Sequence, residues 1–439
     1  MKDQLGVDAS SDNSQSLEIY ERALRAFNTY RGDPVAIIDE ALETDPDFAM
    51  GHVLRGHVLA SMWEKSCVPE IEKSVAQLND LGNRINDRER RHTHALEQWT
   101  SGDWNGARGT LDQLLVEYPR DLLALQIGHL SDFYQGDRDN LYGRVARALP
   151  AWTRDDPGYA FLLGMNAFGL EECGSYAVAE ETGRHALDLE PDDCWAQHAV
   201  AHVMEMQARQ TEGIAFMEGR TDHWAQADNG FKFHNWWHTA LYNLDQDRFE
   251  RVLEIYDQGV RPEPAEFQLP LLDAVALLWR MHLRGLDVGN RWAELADLYE
   301  KDDEDGFYAF NDMHAMLAFA ATGRSNAAAT RLAAMKIAAE GQGTNAMMLR
   351  LVGVPIARAV QAFGQERYGE VVDHLMPVRY RAYVCGGSHA QRDVVHRTLI
   401  EAALRNGDKA LAIGLSNERT SLKPHCPFSW QLYERATAR

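Results

Sequence analysis

Ala, Leu, Glu and Arg recur along this chain at the spacing of helical turns, and the apolar–polar alternation of a strand is almost absent. The apolar stripes are broken by bends near Gly32, Cys67, Gly102, Gly136, Gly174, Arg209, Asp247, Gly285, Gly323, Gly364 and Gly407, at intervals of 34 to 43 residues. At a spacing of 72 residues, SGDWNGAR (101–108) superimposes on CGSYAVAE (173–180), so that Gly102 matches Gly174, Trp104 matches Tyr176, Ala107 matches Ala179 and Pro119 matches Pro191. Each residue has a physical role. Glycine accepts the bend, a small alanine lets two helices approach closely, and proline stops the second helix. The pattern predicts an all-α chain of about eleven helix–turn–helix hairpins.

A helix–turn–helix unit of about 34 residues has the period of a tetratricopeptide repeat. The expected fold is therefore a right-handed superhelical α-solenoid over residues 15–439, preceded by a polar, flexible tail over 1–14. The best-formed unit is 160–193, with Ala167, Gly174, Tyr176, Ala179, Ala186 and Pro191 in place. The segment 376–387 holds too many glycines and β-formers for a helix and reads as a long loop, whereas Ser388 with Gln391 predicts a capping box that starts a new helix.

Composition narrows the functions. The 439 residues carry a formal charge of −22, which disfavours nucleic acid and anionic membrane surfaces as partners. From Arg324 onward the balance reverses to +7, leaving −29 on residues 1–323 and favouring either an approach of the two ends or an anion site near the C-terminal third. No apolar run in the sequence reads as a membrane span, and the N-terminus lacks the apolar stretch of a signal peptide. Five cysteines without a CxxC pair read as reduced thiols in a cytoplasmic protein.

The candidate chemistry is histidine. In the tetratricopeptide register, His198, His202 and Glu205 fall on the groove-facing stripe of one helix, as do His234 and Trp237, with His238 beside them. His57 takes a groove position, and Asp312 and His314 flank one. His389, Arg392, Asp393 and His396 lie on the first two turns after the capping box, and Arg379 and Arg381 precede it. His52, His92, His94, His129, His185 and His282 read as hydrogen-bonded structural residues.

Four blocks, HAVAHVMEMQARQTEGIAFMEG, FHNWWHTALYNLDQDRFERVLEIYD, DMHAMLAFAATGR and RYRAYVCGGSHAQRDVVHRTLIEAAL, resemble the tetratricopeptide repeat protein 38 family. The resemblance implies a cytosolic solenoid of tetratricopeptide type and assigns no catalytic role.

Three readings stay open. The first is a histidine-rich central pocket for a small polar or anionic molecule, or for a divalent metal such as zinc. In it His198, His202, His389 and Asp393 would do hydrolytic or proton-transfer chemistry. Glu205, His234, Trp237, His238, Asp312, His314, Arg379, Arg381 and Arg392 would bind the ligand. The second is a peptide-binding scaffold without catalysis. The third is a buried hydrogen-bonded histidine network that only sets the curvature of the array. Whether the chain is an enzyme, and its oligomeric state, are not fixed by the sequence.

Overall fold

The computed structural model describes residues 1–265 and 267–438. It is all-α: twenty-five α-helices run from Ser14–Thr29 to Pro427–Thr437, and among the described residues only two isolated bridges interrupt the helical pattern. Eleven successive helix pairs are joined at bends, each at or within a few residues of a predicted one. Seven of these bends place a glycine at positive φ, for example Gly174 at 81°. The other four place Trp63, Ala208, Asp247 and Glu366 there instead. Two predicted markers are displaced for that reason. The chain bends at Trp63 before Cys67, and at Glu366 after Gly364.

The bends also start the second helices. In Gly32-Asp33, Gly102-Asp103, Gly136-Asp137 and Gly407-Asp408 the aspartate side chain accepts hydrogen bonds from the first backbone N–H groups of the next helix. Glycine supplies the bend and aspartate caps the helix, so one dipeptide does both jobs. The capping box predicted at Ser388 and Gln391 is present. The loop expected over 376–387 is mostly a 3-10 segment, Arg379–Cys385.

The chain divides into two compact units. The first comprises Met1–Val200 and 222–231, the second 201–221 and Lys232–Arg439. In the first unit Ser14–Thr29 packs on Ala49–Ala60, which packs on Asp87–Thr100, and Leu122–Tyr134 packs on Tyr159–Glu172. The segment expected to be a flexible tail is held to this unit. Leu5, Val7 and Ala9 are buried, and the Asp3 carboxylate pairs with buried Arg88 at 3.2 Å. In the second unit the first helices of consecutive hairpins pack in order: Lys232–Asp245, Gln268–Leu283, Ala309–Thr322 and Val354–Gly364. The continuous helix Thr344–Gly364, which contains a five-residue π-helical stretch, has the length and apolarity to cross a membrane, but most of it is packed inside the fold.

Close helix approach is decided by single atoms. A Cβ on Gly169 would lie 2.7 Å from the Tyr142 Cα and 2.9 Å from the Leu141 carbonyl oxygen, both backbone. Backbone cannot rotate away as a side-chain tip can, so Gly169→Ala is expected to destabilise the first unit by about 1–3 kcal/mol, the usual range for overpacking. Chemical denaturation checks this; an unchanged midpoint would contradict the packing described.

Candidate functional site

The site in the second unit begins with helical spacing. His234 and His238 lie one turn apart on Lys232–Asp245, and His202 lies on Cys194–Met206. All three side chains are buried. One ring nitrogen from each lies within 4.8 Å of the others. The His238 ring centroid is 4.5 Å from that of His202 and 4.9 Å from that of His234, both edge-on. Trp237 stacks on His234 at 5.3 Å, so the tryptophan covers the flank of the cluster.

A carboxylate orients the group. The His234 Nδ1–H donates to Asp273 Oδ2 at 2.8 Å, which puts the proton on that side of the ring. Burial pushes His202 and His238 well below the usual imidazole range. His234, His389, Lys423 and Arg392 add to the effect at His202, as do His202, His234, Arg280 and Lys423 at His238. Both rings are therefore neutral at physiological pH, the form that binds metals.

Around the cluster lies a buried ionic network. Glu205 accepts from Lys423 Nζ at 3.1 Å. Asp245 pairs with Arg397 at 3.1 Å, and Asp393 pairs with Arg397 at 2.6 Å and with Arg419. Burial opposes charge on Asp393, but the Arg419 and Arg397 guanidinia outweigh it and hold the carboxyl well below the usual range. Each of these six charges has a partner, as groups removed from water require.

The structure sorts the other sequence candidates. His198 lies in the first unit, its ring centroid 5.0 Å from those of Phe168 and Trp195 and 5.2 Å from that of Phe231. His57 donates to His92 at 3.0 Å, and His92 donates to Asp121 at 2.9 Å. Asp121 is also held by Arg88, so these two histidines form a structural hydrogen-bonded chain. His389, half-buried, opens the helix His389–Arg405 and acts electrostatically on His202. Arg392 donates to the Gly387 carbonyl.

Five further candidates have these surroundings. Asp393 was placed among catalytic groups, but two arginines occupy its carboxylate. Asp312 accepts from Gly306 N at 3.1 Å and pairs with Arg331, so it belongs to a separate ion cluster. Burial raises its carboxyl to about 7 against that arginine. Arg379 donates to the Met376 carbonyl and covers Tyr380, and Arg381 is exposed. His314 donates through Nδ1 to Phe310 O at 2.8 Å and is buried beside Arg280 rather than among the three histidines.

Asp273, Arg280 and Lys423 were missed. Asp273 had a visible signal: it is the one charge inside the apolar run LPLLDAVALLW, and a charge at a core position needs a partner. Lys423 meets Glu205 across 218 residues of chain, a distance at which spacing carries no information.

No family model matches the chain. Among solved structures it is similar to a tetratricopeptide repeat protein from Parabacteroides merdae, with 12% identity over 64% of this chain and 100% of that one, TM-score 0.34. It is also similar to yeast Tom70, with 13% identity over 92% of this chain and 84% of that one, TM-score 0.37. A human IFIT1 dimer with PPP-AAAA matches at 13% identity over 98% of this chain and 95% of that one, TM-score 0.44. These likenesses are of helical-repeat architecture, and no functional residue is carried over from them.

Buried neutral histidines make stability depend on pH. Burial lowers His129 to about 3 and both His314 and His396 to about 4, while the unfolded chain titrates at the ordinary value. As pH falls below about 6.5, the unfolded state takes up protons that the folded state refuses, so stability falls by about 1.4 kcal/mol per pH unit per group until the folded value is reached. Asp193 and Asp312, both raised to about 7, act oppositely in the same window. The expected net result is a fall in stability from pH 6.5 to 5, and His314→Gln should flatten it by about one group's share. Denaturant titrations at several pH values read this directly; a slope unaltered by His314→Gln would contradict it.

Proposed function

We propose that the second unit binds a divalent transition metal, zinc being the chemical type, through His202, His234 and His238. The observation that carries this is the convergence of three imidazole nitrogens within 4.8 Å. Imidazole suits zinc and its neighbours in the first row, and three histidine ligands are a set that zinc takes in proteins. Asp273 plays the outer carboxylate that holds a ligating histidine in one tautomer. A bound metal would supply Lewis acidity, and the chain supplies orientation and a buried surround. The blocks that resemble the tetratricopeptide repeat protein 38 family contain the three histidines, but neither Asp273 nor Lys423. Five free cysteines fit a reducing, cytoplasmic setting.

Elemental analysis of protein purified without chelator, followed by zinc titration of the chelator-stripped chain, tests this reading. About one zinc per chain is expected. His202→Gln and His238→Gln should each weaken binding at least about tenfold, as removal of one ligand does. A stripped chain that takes up no zinc at micromolar concentration, with its helical circular dichroism intact, would defeat it.

A second reading, a scaffold for peptides, is favoured by an open cleft of about 520 Å³ in the same unit, lined by Phe249, Phe428, Arg284, Arg405 and Arg435. In that case peptide binding measured by calorimetry survives His202→Gln and is lost on Phe428→Ala.

A further inference from the structure

Among the described residues, Arg280 is the one buried guanidinium without a carboxylate partner. It lies on Gln268–Leu283 and is 1% exposed. Nη1 donates to Ala276 O at 2.8 Å, and Nη2 to Ala390 O at 2.7 Å. The guanidinium carbon sits 5.2 Å from the Trp237 ring centroid. Among the described residues its Nε has no hydrogen-bond partner. The carboxylates nearest in electrostatic effect are already taken, Asp245 by Arg397, Asp393 by Arg397 and Arg419, and Glu205 by Lys423.

Two further buried groups beside Arg280 lack partners. Trp237 Nε1–H has none, and neither has His314 Nε2, whose lone pair is exposed by donation from Nδ1 to Phe310 O. The three side chains come from three consecutive first helices, Lys232–Asp245, Gln268–Leu283 and Ala309–Thr322. Arg280 acts electrostatically on both His314 and His238. A buried charge without a counter-ion is costly, and so is each unmade hydrogen bond. A guanidinium edge next to an indole N–H is complementary to a small oxyanion, and the His314 lone pair accepts from a hydroxyl on it.

We infer that Arg280, Trp237 Nε1 and His314 Nε2 form a buried oxyanion subsite beside the three histidines, taking a small carboxylate or phosphate. This deepens the metal-site reading by naming the ligand class and rests on it for the ligand's second contact. The charge balance of the sequence pointed elsewhere, to the basic segment from Arg324 onward with Arg379 and Arg381, whereas Trp237, Arg280 and His314 all precede it.

The test is calorimetry on the full chain, chelator-stripped and zinc-loaded, with inorganic phosphate and with glycolate as the two probes. At least one probe should bind saturably, and the one preferred tells a phosphate source from a carboxylate source. Trp237→Phe keeps an aromatic ring at this position and removes the N–H together with the five-membered ring that carries it, while His314→Gln leaves the aromatic stack untouched. Trp237→Phe should weaken that probe about tenfold or more, the usual loss for a hydrogen bond to a charged group. Arg280→Gln should abolish binding. His314→Gln serves as the check if Arg280→Gln does not fold, and should also weaken the probe. Anion binding that Trp237→Phe and His314→Gln leave unchanged overturns the subsite, as does failure of both probes below about 10 mM, a range where only nonspecific association remains. Zinc binding that persists in those variants leaves the metal reading standing, and anion binding by a chain that takes no zinc leaves the subsite standing without it.

Discussion

The hydrogen bond from His234 Nδ1 to Asp273 sets the character of the whole second unit. It fixes which nitrogen of His234 carries the proton, in a ring whose centroid lies 4.9 Å from that of His238, itself 4.5 Å from that of His202. Without it, three imidazoles packed ring to ring would choose tautomers among themselves, and the cluster would have no fixed donor face. With it, the group is an oriented set of buried nitrogens, of which His202 and His238 are held neutral by burial. Burial costs little for neutral rings and much for charged ones, which is why the charges around them come in matched pairs.

Those pairs separate the structural residues from the candidate functional ones. Asp393, Arg397, Arg419, Asp245, Lys423 and Glu205 mostly satisfy one another and tie helices that are far apart in sequence. In the first unit Asp121, Arg88, His92 and His57 do the same. The third reading of the histidines, a buried network, thus describes His57 and His92 well. It does not describe Arg280, whose charge is left without a carboxylate in a fold that pairs its other buried arginines with acids.

The fold was legible in the sequence because its signals are local. A bend glycine, the aspartate cap that follows and the small residues at close approaches all act within a few positions, so all eleven hairpins could be counted from the chain alone. Where the bend residue was not glycine, as at Trp63 and Glu366, the marker slipped by two to four residues. The histidines could be picked out because the repeat register assigns a face to each helical position. Their partners could not. Asp273, Arg280 and Lys423 reach the cluster from other hairpins, and helical phase says nothing about which side chain of a later repeat will meet which. Helical phase also cannot tell an acid that is free from one already claimed by an arginine, as Asp393 and Asp312 are.

The account depends most on the three histidines sharing one ion. Crystals grown with zinc and measured across its absorption edge test that directly. The expected result is a single anomalous peak about 2.0–2.1 Å from a ring nitrogen of each of His202, His234 and His238, with Nε2 as the His234 ligand. Peaks confined to surface carboxylates, or a cluster that stays free of zinc in a well-ordered crystal, would contradict it.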